Sequence, residues 1–242
     1  MPVLPAKTEQ VWDFLKTQPT LAGFVLIGGS ALALRLRHRI SEDLDFTFIG
    51  SKLPANRLSS LQQQAEHCGL KMSADDDPAA VEEFAGGGLE LRDYQQDYIM
   101  NGLVKVSFFL ADQALSKVLT EPATAAPRLA TLNELFKAKC LVSAVRSKTR
   151  DWLDIYLLLR NHGFSLKDYR NAFCEAGIES QFDVGITRLC SGKPERNDEG
   201  YVHLLGNAPS IEEMAEYFRS ERDRFEVERA AEARRARGRS IE

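Results

Sequence analysis

FVLIGGSALALRLRHRISEDLDFTF, running from Phe24 to Phe48, is the stretch that decides the fold. It opens with the apolar run Phe24-Val25-Leu26-Ile27, which suits a buried strand. Gly28-Gly29-Ser30 follows, and then Ala31 to Leu36, a run of strong helix formers. From Ser41 the pattern alternates, with apolar Leu44, Phe46 and Phe48 on one face and polar Asp43, Asp45 and Thr47 on the other. Such alternation marks a half-buried strand. The stretch therefore reads strand, glycine turn, helix, strand, with two carboxylates on one edge of the second strand.

That order carries chemistry. Glycines at a strand-to-helix turn let backbone approach a ligand closely. A helix start offers unpaired N–H groups and a positive dipole end, both suited to phosphate. Residues two apart on a strand point the same way, so Asp43 and Asp45 can converge on one cation. Mg²⁺ prefers one or two carboxylates plus substrate phosphate oxygens. A phosphate cradle beside metal-binding acids points to phosphoryl or nucleotidyl transfer; the plain alternative is a surface turn with two solvated aspartates.

Working outward, the 242 residues allow one large domain or two lobes, with 44% apolar and 27% charged residues, as in an ordinary globular chain. A net charge of −4 does not advertise nucleic-acid binding, so any such site must be a local basic patch. Cys68, Cys140, Cys174 and Cys190 are widely spaced, without a Cys-X-X-Cys pair, and read as buried free thiols of a reducing cytosol. No signal peptide precedes Trp12 and no apolar run reaches membrane-spanning length, so a cytoplasmic protein with no membrane partner is expected.

Amphipathic spacing predicts helices over 8–16 and 55–67, and a short strand over 70–73. Asp75-Asp76-Asp77-Pro78 reads as a solvated turn, and Gly86-Gly87-Gly88 as a flexible one. Alternation predicts strands at 89–91 and 97–100, a hairpin turn at Asn101-Gly102, and the clearest later strand at 103–110. After Pro122 and Pro127 the pattern turns helical. Thr131-Leu132-Asn133-Glu134 is a capping box opening a helix to about 145. Helices at 150–160, 165 onward, 179–190 and 210 onward follow, with loop at 191–207 and a charged stretch from Glu226 that suits a solvated helix or a frayed tail. The expected organisation is an α/β lobe over 1–127 and a helical lobe over 128–242.

Gly28-Gly29-Ser30, a spacer and Asp43-Leu44-Asp45 resemble the Gly-Ser…Asp-X-Asp signature of the DNA polymerase beta-like nucleotidyltransferase superfamily. The fuller string, with His38-Arg39 and Ser41, resembles the AbiEii/MenT family of nucleotidyltransferase toxins of bacterial toxin–antitoxin and abortive-infection systems. The resemblance implies an α+β fold: a polymerase beta-like lobe, a mixed twisted sheet with flanking helices, plus a C-terminal helical lobe. It implies an NTP whose phosphates meet Gly28, Gly29 and Ser30, Mg²⁺ or Mn²⁺ on Asp43 and Asp45, a tRNA acceptor and a cognate winged-helix antitoxin. Lys139 and Asp151 correspond to the family's required lysine and to the aspartate of its Arg-Asp-X-X-Asp segment, here Arg150-Asp151-Trp152-Leu153-Asp154. In those roles Lys139 offsets triphosphate charge and Asp151 orients the acceptor hydroxyl. The bland reading of the pair is an ion pair joining two helices.

One position departs from the superfamily pattern. A third carboxylate is expected on the neighbouring strand, where this chain has Ser107, a poor metal ligand. Glu90 is the candidate stand-in, and Lys105 shares the face of Ser107. Lys137, Lys139, Arg146, Lys148 and Arg150 make up a basic cluster that could take RNA phosphates or be an ordinary charged helix surface. Two other readings stay open: a small-molecule nucleotidyltransferase of aminoglycoside type, and a nucleotide- or protein-binding relative that has lost the reaction.

Overall fold

In chain order, α1 (Ala6–Leu15) precedes β1 (Phe24–Ile27), α2 (Gly28–Leu36) and β2 (Leu44–Phe48). There follow α3 (Ala55–His67), β3 (Met72–Ala74), α4 (Pro78–Gly86), β4 (Gln95–Met100), β5 (Val104–Leu110), α5 (Gln113–Val118) and β6 (Arg128–Leu129). The rest is helical: α6 (Leu132–Ser143), α7 (Thr149–Asn161), α8 (Leu166–Ala176), α9 (Gln181–Ser191) and α10 (Ile211–Arg239). This computed structural model describes residues 3–204 and 207–239, of which 203 and 236–239 are described by backbone alone. By internal contacts the chain divides into two compact units, Met1–Leu135 and Phe136–Glu242.

The first unit is built on one six-stranded mixed sheet in the order β3-β4-β5-β2-β1-β6. β1 pairs antiparallel with β2 and parallel with β6, β2 lies parallel to β5, and β5, β4 and β3 run on as antiparallel neighbours. The apolar positions of the alternating strands make one face: Phe46 stacks on Phe108 at 5.4 Å between ring centroids, with Phe24 and Tyr98 set edge-on to Phe108. Trp12 of α1 closes on Phe46 from that side. The opposite face is polar where the second member of each alternation points, and there lies the row Asp45, Ser107, Asp97. No helix among the described residues is long and apolar enough to cross a membrane.

The helix over 55–67 and the strands over 24–27, 44–48 and 104–110 form as the patterns predict. Other segments differ. Residues 78–86 are helical because Asp77 caps the Ala79 N–H and Pro78 presets the first turn, a start signal hidden inside an apparent acidic loop. Asp76 is no solvated residue either, since it pairs with Arg92 and accepts the Asp97 N–H. Leu89 to Leu91 is not a strand: a 3₁₀ turn at Leu91–Asp93 leads into β4, and Glu90 stands exposed before it. β6 escaped notice because two residues carry no periodicity. Of the cysteines, all free, Cys140 and Cys190 are buried as expected, while Cys68 is exposed and Cys174 half-buried.

The second unit packs α7, α8, α9 and α10 around Trp152, Tyr169, Phe173 and Phe218, each essentially inaccessible. Ser165 and Asp168 form a complete capping box on α8, and Gly177 ends that helix in the left-handed conformation. Gly185 of α9 leaves room for the Tyr169 hydroxyl, which hydrogen-bonds Ser143 at 2.6 Å.

The expected cap of α6 is present and extended. Thr131 and Glu134 exchange N–H hydrogen bonds, and the Glu134 carboxylate also takes a two-pronged bond from Arg128 of β6, at 2.7 and 2.8 Å. Burial would raise the Glu134 pKa, but the Arg128 bonds and the N–H groups of Glu121 and Thr131 outweigh it and hold the carboxyl at about 2 instead of 4.5. A carboxyl depressed on folding stabilises the native state above its unfolded pKa, and that contribution fades as pH falls toward the native value. Glu134→Gln should therefore cost roughly 1–3 kcal/mol at neutral pH. In urea titrations the gap from wild type should narrow steadily below pH about 4.5.

Candidate active site

The register of β1 against β2 builds the site. Ile27 pairs with Asp45, so the strand that ends in the glycine turn lies beside the start of the strand that bears the acids. Gly28 takes φ +77°, a left-handed conformation that glycine adopts without strain. A Cβ at Gly28 would lie 2.6 Å from Asp45 Oδ2, so the carboxylate rests against the bare side of the glycine. Ser30, 1% exposed, donates its hydroxyl to the Asp43 carbonyl and latches the segment before β2 to the first turn of α2. Asp43 immediately precedes the strand, Asp45 lies within it, and both are partly accessible. Gly28, Gly29, Ser30, Asp43 and Asp45 are thus brought together.

Gly29 has a different neighbour. A Cβ there would fall 2.6 Å from Arg39 Nη2 and 2.9 Å from Ser41 Oγ. Arg39 is 5% exposed and also donates to the Ile40 carbonyl at 3.0 Å. The guanidinium thus packs on the turn, which explains why the chain needs a second glycine and what Arg39 and Ser41 do between the helix and β2.

Electrostatics then set what can bind. The first N–H groups of α2 and the Arg39 charge favour an anion at the glycine turn. Asp43 and Asp45 at the same place disfavour it. A phosphate and two carboxylates coexist there when a divalent cation lies between them, and carboxylate oxygens are the donors a hard cation takes. The donor chemistry fits such an ion, and Gly28 lets the Asp45 carboxylate lie against the turn. Among the described residues no three His, Cys, Asp or Glu side chains are already gathered as a cage. Glu90 cannot join the pair from the strand expected of it, because it is on no strand.

The residue that sequence reasoning missed is Asp97. Ser107 pairs with Asp45 on one side and with Asp97 on the other, so the three lie in one row across β2, β5 and β4, on one face of the sheet. Asp97 is 6% exposed. Its Oδ2 accepts from Gln95 Nε2 at 2.8 Å, and its buried Oδ1 has no hydrogen-bond partner among the described residues.

The second constellation lies within the helical unit. Lys139 Nζ of α6 reaches Asp151 at 2.6 Å and Asp154 at 2.8 Å, both on α7, and Arg146 Nε donates to Asp151 at 2.8 Å. Lys139 is 7% exposed and both aspartates are fully buried. Two cations and two anions balance. Burial would raise the Asp151 carboxyl, but Lys139 and Arg146 hold it below the usual range. The ion pair joining two helices is thus present as geometry. The rest of the basic cluster is also matched: Lys137 with Glu175, and Lys148 and Arg150 with Glu199. Arg234 and Arg235 are exposed on α10, while the Arg237 and Arg239 side chains lie outside the described residues.

Removing one member of this buried group strands the others. Lys139→Met should cost roughly 3–5 kcal/mol in chemical denaturation, and Asp151→Asn and Asp154→Asn added to it should recover much of that. Since Asp151 is depressed on folding, its contribution is full above the ordinary carboxylate range and declines as pH falls through its native value.

The comparisons fit this geometry. The family model described as "Nucleotidyl transferase AbiEii toxin, Type IV TA system" matches residues 13–237. No curated protein matches. Among solved structures, MenT4, the nucleotidyltransferase toxin Rv2826c from Mycobacterium tuberculosis H37Rv, superposes with a TM-score of 0.55 at 14% identity, covering 91% of this chain and 82% of that one. JHP933 from Helicobacter pylori gives a TM-score of 0.51 at 16% identity, covering 95% and 96%. At such identities the likeness speaks for the fold alone, an α+β chain with a polymerase beta-like lobe; the family match, which spans most of the chain, goes further. The chain belongs to the AbiEii family of nucleotidyl transferase toxins of type IV toxin–antitoxin systems and is a nucleotidyltransferase.

Proposed function

We propose that this chain transfers a nucleoside monophosphate from an NTP to the hydroxyl of a tRNA, in the cytoplasm, until a cognate antitoxin of winged-helix type restrains it. Residues 1–127 are read as the nucleotidyltransferase lobe and 128–242 as a helical lobe. The observation that carries the reading is the Asp45 carboxylate seated against Gly28 at the start of α2. It sets an acid beside a helix start suited to phosphate, an arrangement that makes sense when a cation joins the two.

In this reading the backbone N–H groups at Gly29 and Ser30 take the triphosphate, and Gly28 keeps the approach open. Asp43 and Asp45 would hold Mg²⁺ or Mn²⁺, which when bound withdraws charge from the phosphate oxygens and lowers the pKa of a bound hydroxyl. The acceptor hydroxyl gives up its proton to solvent as its oxygen bonds to the α-phosphorus; the bond from that phosphorus to the α–β bridging oxygen breaks, and pyrophosphate leaves. Lys139 and Asp151 belong to the proposal as the residues that balance and orient charge. Their support is the family correspondence and the unusual burial of the ion group.

Incubation with each α-labelled NTP, Mg²⁺ or Mn²⁺, and total cellular RNA should label tRNA; label on an aminoglycoside and none on RNA would favour a small-molecule acceptor. Asp43→Ala and Asp45→Ala should each reduce transfer on the order of 10³-fold while circular dichroism stays unchanged. Gly28→Ala pushes a methyl group into the Asp45 carboxylate and should cost about 10²-fold through misplacement. Unchanged transfer in either aspartate variant would refute the site.

A further inference from the structure

We propose that Asp97 is an acid of the cation site, acting across Ser107 from the far side of Asp45. The proposal rests on the site reading above and deepens it.

The sheet register is the first observation. Asp45, Ser107 and Asp97 are successive partners on β2, β5 and β4, so their side chains leave the same face of the sheet. Adjacent strands lie about 4.8 Å apart, so the Asp45 and Asp97 backbones stand about 10 Å from each other. Two facing carboxylates with a hydrated divalent cation between them fill such a gap, since Mg²⁺ keeps several of its waters. The residue between them is small. It leaves the space between Asp45 and Asp97 uncrowded.

The second observation is independent of the register. Asp97 is more than nine-tenths buried, and its Oδ1 has no hydrogen-bond partner among the described residues. A buried carboxylate oxygen left unmatched is costly, and such atoms in folded proteins usually await water or an ion. Everything else about Asp97 is held. Gln95 takes Oδ2 at 2.8 Å, Asp76 takes the backbone N–H at 2.9 Å, and the Asp97 carbonyl accepts the Asp75 N–H at 2.8 Å. A residue fixed so firmly, with one oxygen unmatched in the row of Asp45, is placed for a ligand rather than for the fold.

The test is Mn²⁺ binding to the full chain, followed by electron paramagnetic resonance, in parallel with thermal unfolding. Asp97→Asn keeps an acceptor for Gln95 and removes the charge. It should weaken Mn²⁺ binding about tenfold or more, as loss of a supporting carboxylate does. It should leave the melting temperature unchanged or raised, because an uncompensated buried charge is gone. Ser107→Asp added to Asp97→Asn moves the acid one strand nearer and should restore most of the affinity, which a merely structural Asp97 would not allow. Asp45→Asn is the reference. If it weakens Mn²⁺ binding while Asp97→Asn does not, this inference is wrong and the site reading survives. If neither weakens binding, both are wrong. A markedly lowered melting temperature, or an unfolded Asp97→Asn chain, would also overturn the inference, since it would make Asp97 a structural residue.

Discussion

The antiparallel pairing of β1 with β2 is the constraint from which the site follows. It sets Ile27 opposite Asp45, and the chain must then turn into α2 directly beside a carboxylate. Only a residue without a side chain, in a left-handed conformation, can make that turn, because a Cβ at Gly28 would enter the Asp45 carboxylate. Ser30 then ties the first turn of α2 to the Asp43 carbonyl, so the helix start and the acids hold one geometry. Helix dipole, glycine backbone and the Asp45 carboxylate meet at one point for reasons of strand register.

The helical unit handles charge in the opposite way. There Lys139, Asp151 and Asp154 are buried and matched against one another, and the more exposed Arg146 also pairs with Asp151. Such groups contribute little net stability compared with apolar packing, yet breaking them is expensive. They fix how α6 meets α7 more than they strengthen it. The basic residues nearby have carboxylate partners, so the −4 net charge is not offset by a free cationic patch on those helices. If tRNA is the acceptor, recognition must draw on more than that cluster.

Much of this was legible in the sequence. The run Phe24 to Phe48 announced strand, turn, helix and strand because each local preference agreed with the final fold. Thr131 and Glu134 announced the cap of α6 for the same reason. Asp97 was not legible, and the cause is one residue of turn length. Taken as a two-residue turn, Asn101-Gly102 pairs Asp97 with Val106 and sends its side chain to the core face. Leu103 joins the turn, Met100 pairs with Val104, and Asp97 swings to the face of Asp45. Glu90 failed for a related reason, since three alternating residues suit a 3₁₀ turn as well as a strand. The partnership of Lys139 with Asp154 needed the crossing of α6 and α7, which residue spacing does not encode.

The most direct test is a crystal structure with a non-hydrolysable NTP and Mn²⁺, with the ion located by its anomalous scattering. A peak within coordination distance of Asp43 and Asp45, with the triphosphate against the first turn of α2, is the expected result. A triphosphate bound away from Gly29 and Ser30, or an ion that touches neither acid, would contradict it.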